Sequence, residues 1–584
     1  MSLLPRLYSG ISHFNFVGST EAVSTKFAFL FSRWRKRLKG GIQLTTVAGK
    51  HGGKLSIPDK ISAETVARED VLPETVKTGF LKFDEMISER REQARRSLVV
   101  QVQSEASCLE LREYIENISP VNCMFHYKLK ENHFVLVEFK DNCLQEILLN
   151  WCHVSDKSTV PVASPVVWFK AAQAGRKRSG QEITSIEDSK VIRVSPPPSY
   201  ETILNLTSQI QRVSPLMETL HACTKLDELG TRLRFFTARQ VELAMSGLFP
   251  HCAVLPFGSS VNGFGKSGSD LDLIFRHDLS QHETSMGNSN RSLRLVYQTK
   301  TSLGGPRPLT QRQMELMADL LQVLMPGCSG VKRILQARVP IVKYSNDFTG
   351  LDCDLSMSNM TGLYMSELLF LYSQLDPMSK LLICFVKTWA AACLLTNPSP
   401  GRWITNFMLI MLCIHYLQSL KRLPPLDVMV KAAGPEDERV TDDINCTFAR
   451  DLSRLNWNSS CPSLPPSKIL KGFFEYYMNY DFGAYCVSIT TEARLTKPDY
   501  SPLYIVNPLE RSLNVSKNVS GEELEKLKMA LRNAAWVLES GDLPVNSLLT
   551  RLGQNSNPLP PLLQTGFFSS PIPHASSVEG EPAF

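Results

Sequence analysis

The sequence predicts an α+β protein with a mixed β-sheet part, an all-helical part and a small N-terminal module. Three observations support this class. Strand and helix patterns follow the order βαββαβ between residues 97 and 169, strand-like segments recur from 249 to 356, and helical periodicity with few chain breakers runs from 367 to 420. The 584 residues, of which 43% are hydrophobic and 21% charged, have the composition of a globular protein of several domains.

The first 58 residues have the composition of an import leader. They contain nine Lys or Arg residues and one acidic residue, Glu21, and residues 32–40 (SRWRKRLKG) carry five of these bases. An acid-poor leader containing Arg and Ser is typical of a mitochondrial transit peptide, so we expect the protein in the mitochondrial matrix. A disordered basic arm and a nuclear signal are the alternatives.

Residues 96–170 are predicted to form a module like the RNA-recognition motif, which has the same βαββαβ order. A charged helical lead-in, residues 59–95, precedes it. The third strand of such a module carries aromatic residues that stack on bases. Phe134 fits one of these positions, but Leu136 occupies the other. We therefore expect the module to mediate dimerisation or another protein contact rather than to bind RNA.

Composition and periodicity divide the rest of the chain. A polar stretch ends in three prolines, and the end of the chain lacks Lys and Arg and is rich in Pro and Ser. The predicted segments are a linker at 171–199, a sheet-bearing domain at 200–365 whose helices at 200–248 are shared with the next domain, a helical domain at 366–540, and a disordered tail at 541–584.

Two classes of protein are disfavoured. The fourteen cysteines include no C-x-x-C pair, so neither a zinc ribbon nor a thioredoxin-like site is expected. Residues 403–420 lack charged Lys, Arg, Asp and Glu side chains but contain Asn, His and Gln, which favours a buried core helix over a membrane span. We expect no membrane as a partner. The net charge of +6 suits an anionic partner.

A Gly-Ser pair followed by two aspartates marks the candidate active site. In residues 256–275 (PFGSSVNGFGKSGSDLDLIF), Gly258 and Ser259 precede Asp270 and Asp272. Alternate residues of a strand share a face, so the two carboxylates should point the same way. Close carboxylates repel each other unless a cation lies between them, and Mg²⁺ prefers oxygen ligands. The Gly-Ser turn offers N–H groups and a hydroxyl to phosphates.

A second acidic strand supplies a third carboxylate. In residues 350–359 (GLDCDLSMSN), Asp352 and Asp354 share one strand face and apolar residues share the other. Either aspartate could complete a set of three.

This pattern resembles the signature of the DNA polymerase β-type nucleotidyltransferases, and later segments resemble the terminal RNA nucleotidyltransferases within that superfamily. The later segments are 385–395 (FVKTWAAACLL), 401–418 (GRWITNFMLIMLCIHYLQ) and 501–520 (SPLYIVNPLERSLNVSKNVS). The resemblance implies a polymerase β-like palm followed by a helical poly(A) polymerase-associated domain. The family pattern Cys-Asp-hydrophobic, followed by Asn, favours Asp354 over Asp352.

The resemblance implies a two-metal phosphoryl transfer. Asp270, Asp272 and Asp354 would hold two ions of Mg²⁺ or Mn²⁺, and ATP would donate its nucleotidyl group to an RNA 3′ end. Seven further residues match positions at which the family contacts the nucleotide. They are Gly258, Ser259 and Lys387 for the phosphates, Asn359 and Ser366 near the ribose, and Asn406 and Phe407 at the base. Phe407 also fits core packing, Lys387 an exposed lysine and Ser366 a helix cap.

Three positions depart from the family pattern. Ala391 stands where a second basic residue often follows Lys387 by four residues, which weakens the expected triphosphate clamp unless another Lys or Arg substitutes. Ser358 replaces the first of two asparagines, and Asn507 replaces the aspartate of an Asp-Pro pair.

The resemblance implies template-independent addition of adenylates to mitochondrial RNA. Uridylyl or mixed-nucleotide transfer is the alternative enzyme function, and a catalytically silent RNA-binding assembly protein is the alternative of another class. The three carboxylates favour an enzyme. The expected partners are an RNA 3′ end, ATP and a second copy of the chain bound through the N-terminal module.

Overall fold

The structure is a computed structural model that describes residues 80–153, 162, 164–170, 191–249, 251–277, 305–357, 359–397, 401–457, 464–540 and 545–550. The predicted leader lies outside the described residues, as do most of the lead-in, most of the linker, Ser358 and the predicted tail beyond residue 550.

The described residues confirm the predicted α+β class. The helices are α1 (Phe83–Arg95), α2 (Ser107–Glu116), α3 (Leu144–Asn150), α4 (Tyr200–Thr207), α5 (Val213–Thr224), α6 (Glu228–Met245), α7 (Pro306–Leu324), α8 (Met360–Leu375), α9 (Met378–Ala392), α10 (Asn406–Ser419), α11 (Leu426–Lys431), α12 (Pro466–Met478) and α13 (Gly521–Ser540). The strands are β1 (Ser97–Val102), β2 (Val121–Leu129), β3 (Asn132–Phe139), β4 (Val166–Trp168), β5 (Val191–Arg193), β6 (Ala253–Phe257), β7 (Leu271–Arg276), β8 (Cys328–Ile334), β9 (Ile341–Asn346), β10 (Leu351–Met357), β11 (Val440–Thr441), β12 (Ile444–Asn445), β13 (Tyr485–Cys486) and β14 (Leu495–Thr496).

The N-terminal module is a five-stranded sheet in the order β4-β1-β3-β2-β5, with α2 and α3 packed on one face. Its first four strands and two helices follow the predicted βαββαβ order. The fifth strand corrects the predicted linker, because residues 191–193 pair in parallel with β2. Val191 is packed against the core of the module, and this apolar contact explains why the end of a polar segment forms a strand.

The other face of this sheet is closed by the second sheet domain. Phe134 and Leu136 are both buried in a core that they share with α6 and β10. The hydroxyl of Tyr127 donates a hydrogen bond to the carbonyl oxygen of Phe348 at 2.9 Å, and the Phe134 ring meets the Phe348 ring edge-on. The positions that would stack on bases are therefore filled by contacts within the chain.

The second sheet has the order β6-β7-β10-β9-β8 and carries the candidate site. Strands β7 and β10 are parallel, and the other neighbours are antiparallel. Alternation along β7 and β10 directs apolar side chains to one face, where α6 and α7 cover them. The aspartates alternate with these residues and lie on the opposite face. We call this second sheet with α6 and α7 the palm.

A helical core surrounds α10. It contains residues of α4, α5 and α8–α13, and α10 is buried along most of its length, as predicted for a core helix. The helices of residues 200–248 divide between the two cores, since α4 and α5 join the helical core and α6 joins the palm. Residues 545–549 form a 3₁₀ helix whose Leu548 and Leu549 are buried, which corrects the predicted start of the disordered tail at 541.

Helix α1 connects the palm to the helical core. Arg90 and Arg91 form ion pairs with Glu228 and Glu242 of α6, at 2.5 and 2.8 Å. Just before the helix, the backbone of Leu81 exchanges two hydrogen bonds with the Gln374 side chain of α8. The end of the charged lead-in therefore contacts both the palm and the helical core.

In the part of the chain that the structure describes, no single helix is both long and apolar enough to cross a membrane. The pair α8 and α9 passes the test of length and composition together, with a bend of 116° between them.

Candidate active site

The Gly-Ser turn brings the backbone against the first catalytic candidate. Gly258 follows β6 and has φ +64°, a conformation that residues with a Cβ rarely adopt, and a Cβ there would lie 2.5 Å from Oδ2 of Asp272. Glycine therefore lets the turn and the carboxylate approach each other. The N–H of Gly258 donates to Oγ of Ser366 at 2.8 Å.

Ser366 supports this turn from inside helix α8. Its hydroxyl also donates to the carbonyl oxygen of Gly362 at 2.7 Å, and the residue is buried. The cap expectation for Ser366 is wrong, because the residue lies well inside α8; its contact with the ribose stays a prediction. Its place beneath Gly258 gives it a positioning role.

The strand register sets Asp272 beside Asp354. The two residues are direct partners on the parallel strands β7 and β10, and Asp270 immediately precedes β7. Burial, and then the charges of Asp354 and Asp270, raise the pKa of Asp272 to about 7. Burial and the charge of Asp354 also raise the pKa of Asp270. Asp270 and Asp354 therefore lie close enough to Asp272 for their charges to act on it.

Asp354 and Asp352 differ in their surroundings. Nζ of Lys343 contacts Oδ2 of Asp354 at 2.5 Å across the β9–β10 pair. Asp352 is exposed and accepts a hydrogen bond from the hydroxyl of Ser345 at 2.5 Å. Because Asp354 is the partner of Asp272 in the register, the geometry agrees with the choice of Asp354.

Asp270, Asp272 and Asp354 are neighbours, but their side chains are not arranged as the ligands of a metal ion. Among the described residues, no group of three or more His, Cys, Asp or Glu side chains is gathered around one point as a metal site would require. The Lys343 ammonium takes one oxygen of Asp354.

A cavity of about 720 Å³ opens beside Asp270, between the palm and the helical core. Lys387 and Asn406 line it, as does Ala391, the position of the absent second base. Nζ of Lys387 donates to the carbonyl oxygen of Phe264 at 3.0 Å. Burial, followed by the charge of Lys266, lowers the pKa of Lys387 to about 8.

The other predicted nucleotide residues are not among those that line this cavity. Phe407 is half-buried against the helical core, which favours its packing role. Asn359 precedes α8, and its Oδ1 accepts a hydrogen bond from the hydroxyl of Thr361 at 3.1 Å. The Oγ of Ser259 lies 3.4 Å from Oγ of Ser269, near the start of β7.

Comparisons with known proteins match this geometry. A family model described as "Poly(A) RNA polymerase, mitochondrial-like, central palm domain" matches residues 213–374. The mitochondrial poly(A) RNA polymerase of Drosophila melanogaster is 43% identical over 476 residues, which cover 79% of this chain and 76% of the relative. The chain belongs to the mitochondrial poly(A) RNA polymerase family. The Homo sapiens member is 35% identical over 499 residues, covering 84% of this chain and 83% of the relative.

A solved member of the mitochondrial poly(A) polymerase family has the same fold. The crystal structure of mtPAP in complex with ATPγS superposes with a TM-score of 0.73 at 30% identity and covers 81% of this chain and 100% of that chain. The structure of mtPAP in complex with UTP gives the same values. As a mitochondrial poly(A) polymerase family member, the chain is a nucleotidyltransferase, and the palm fold that the resemblance implied is confirmed.

Sequence reasoning missed the other basic residues of the cavity in this family member. His221, Lys225, Lys266 and Lys380 also line it. Lys266 lies inside the stretch that marked the site, so its position between Ser259 and Asp270 was a usable signal. The remaining three are distant in sequence and no local motif marks them.

Arg234 is a second residue that the sequence did not single out. It is 2% exposed, and its guanidinium donates to Ser260 Oγ at 3.2 Å and to the Ser269 carbonyl oxygen at 2.6 Å. These bonds tie the Gly-Ser turn to the residue before Asp270. Arg234 therefore positions both halves of the site motif.

Proposed function

We propose that the protein adds adenylates to the 3′ ends of mitochondrial RNA without a template, taking the nucleotidyl group from ATP and releasing pyrophosphate. One observation carries this proposal: Asp272 and Asp354 are register partners beside the Gly258 turn, at the edge of a cavity rich in lysine. The family relatives are named for poly(A) synthesis, and a solved member holds ATPγS.

Asp270, Asp272 and Asp354 are suited to hold divalent cations. Burial, and then the charge of Asp354, raises the pKa of both Asp270 and Asp272, and a cation would offset that negative charge. Their oxygen donors suit Mg²⁺ or Mn²⁺. When bound, such ions lower the pKa of the attacking RNA hydroxyl and offset the charge that develops on the transferred phosphate.

The residues of the chain would orient the two substrates. Lys387 has three N–H donors and uses one of them on Phe264, so the others remain for the nucleotide phosphates. The hydroxyl of Ser259, which belongs to the Gly-Ser turn, lies 3.4 Å from the hydroxyl of Ser269. Asn406, exposed at the start of α10, stands at the cavity wall where a base would enter.

The RNA end would approach from the other side of the carboxylates. Lys343 is the register partner of Asp354, and Lys332 on β8 is the partner of Lys343. Neighbouring strands are about 4.8 Å apart, so the two lysines form a short cationic row leading away from Asp354. Such a row fits the phosphates of the single-stranded RNA end, and binding to it should weaken as salt rises.

An extension assay tests this function. The full-length protein, a labelled RNA primer, Mg²⁺ and each nucleoside triphosphate are combined separately. We expect a ladder with ATP that exceeds those with the other nucleotides, and no ladder from Asp272→Asn, a change that keeps size and removes charge. An Asp272→Asn variant as active as the natural protein would contradict the assignment.

Uridylyl transfer stays a second candidate for one reason. The solved mtPAP has also been crystallised with UTP, so the fold admits a pyrimidine nucleotide. A ladder with UTP that exceeds that with ATP would select this alternative, and it would leave the roles of the carboxylates unchanged.

Two further parts of the proposal concern assembly and location. With one sheet face of the N-terminal module closed, its α2 and α3 side exposes Leu109, Tyr114, Leu149 and Trp151, which suits contact with a second copy. Light scattering should give the mass of a dimer, and Trp151→Glu should shift the measured mass toward that of the monomer.

The predicted location is tested with the leader. Fusion of residues 1–58 to a reporter should direct the reporter to the mitochondrial matrix.

A further inference from the structure

Helix α9 has no basic residue at Ala391, a position that lines the cavity. Lys387 and Ala391 lie one turn apart on α9, and both line the cavity. Lys380, two turns before Lys387, belongs to a different group. Burial and then the charge of Lys225 lower the pKa of Lys380, and burial and then the charges of Lys225 and Lys380 lower the pKa of His221. Near Ala391, helix α9 therefore presents one ammonium group.

Lys266 reaches the same cavity from the loop between the Gly-Ser turn and Asp270. The neighbours of Lys266 hold its backbone firmly: Ser267 N donates to the Thr224 carbonyl oxygen at 2.9 Å, and Ser269 Oγ donates to the Lys266 carbonyl oxygen at 2.9 Å. Lys266 also forms a β-bridge with Lys225. The loop thus holds the backbone of Lys266 in place at the cavity wall, which the residue lines.

The charges of Lys266 and Lys387 are not balanced within the described protein. Lys266 is exposed, and no carboxylate of the described residues forms an ion pair with it or with Lys387. Among the residues that the structure describes, Asp270 is the one carboxylate that lines the cavity, and it belongs to the proposed metal site. Two ammonium groups that repel each other in a partly buried cavity favour a ligand carrying several negative charges.

We propose that Lys266 supplies the second cation for the terminal phosphates of the nucleoside triphosphate, in place of the basic residue absent at Ala391. The triphosphate is then held between the loop and helix α9 rather than by the helix alone. The inference rests on the proposed function, and it adds a positioning residue that acts on the β- and γ-phosphates and not on the base or ribose.

The test measures nucleotide binding at equilibrium rather than turnover. ATPγS and AMP are titrated by calorimetry, in Mg²⁺, into the full-length natural protein and into Lys266→Ala, Lys266→Gln and Lys225→Ala. Loss of a charge-assisted phosphate contact should weaken ATPγS binding about 10-fold in both Lys266 variants. AMP binding should change less than threefold, because AMP lacks the terminal phosphates. Lys225→Ala should cause a smaller loss than Lys266→Ala.

A second variant moves the positive charge from Lys266 to position 391. Ala391→Arg restores a base to α9, so in the Lys266→Ala background it should recover most of the lost affinity for ATPγS. Thermal unfolding checks that every variant is folded.

Three results would overturn the assignment of Lys266: ATPγS affinity unchanged in Lys266→Ala, an equal loss for AMP, or an equal loss in Lys225→Ala. Failure of the natural protein to bind either nucleotide would refute the proposed function as well.

Discussion

Gly258→Ala tests how closely the turn must approach Asp272. The added Cβ would lie 2.5 Å from Oδ2 of Asp272, whereas ordinary contacts begin near 3.4 Å, so the carboxylate or the turn must move by about 0.9 Å. Positive φ at this residue costs a further 1–2 kcal/mol or so. A shift of about 1 Å in a reacting group can reduce the rate about 100-fold.

Gly268→Ala separates the clash from the backbone strain. Gly268 lies in the same loop with φ +78°, but a Cβ there meets nothing within 4 Å. Both variants should lose about 1 kcal/mol or more of stability in denaturant unfolding. Only Gly258→Ala should also lose about 100-fold in kcat/KM for primer extension. Equal losses of activity in the two variants, or a loss below threefold in Gly258→Ala, would refute the reasoning.

Three further predictions concern stability, pH and RNA. Arg232→Ala should lower the free energy of unfolding by about 2 kcal/mol, because it removes one charged hydrogen-bond partner of Glu138, which is 1% exposed and keeps Arg96; an unchanged urea midpoint would contradict this. Burial lowers the pKa of His415 to about 4. Below about pH 6.5 the unfolded chain therefore binds a proton at this residue that the folded chain does not bind. The free energy of unfolding should fall by about 2 kcal/mol from pH 7 to pH 5 for this reason. His415→Phe should flatten that fall in denaturation series. Lys332→Ala should reduce the slope of log Kd against log salt for a short RNA by about 1, measured by anisotropy in EDTA, and an unchanged slope would remove Lys332 from the RNA path.

The sequence predicts best what depends on short-range periodicity. Asp270, Asp272 and Asp354 could be placed because alternate residues of a buried strand share a face and because apolar neighbours mark the other face. The α10 core helix follows from the same kind of argument, since its apolar residues continue around the helix.

Contacts between distant segments were beyond this reasoning. From its neighbours in the sequence, Ser366 is predicted to contact a ribose or to cap a helix. Only the packing of α8 against the turn shows that its hydroxyl accepts a hydrogen bond from the N–H of Gly258. Likewise, nothing local to Phe134 indicates that Phe348, more than 200 residues away, covers its face. The β5 strand in a polar segment depends on an open edge of β2, which no window of the sequence reveals.

The charges of the site are arranged on two sides of the carboxylates, and this arrangement fits the chemistry of nucleotidyl transfer. Across the palm sheet, Asp272, Asp354, Lys343 and Lys332 are successive register partners, so charge changes from negative to positive along one row. On the side of Asp270, the cavity presents a separate group of lysines. Two polyanionic substrates can therefore meet at the carboxylates from opposite directions, as in-line attack of a 3′ hydroxyl on an α-phosphate requires. The ion pair between Lys343 and Asp354 would then have to open as the RNA end arrives, and its lysine would pass from a carboxylate to a phosphate without losing an anionic partner.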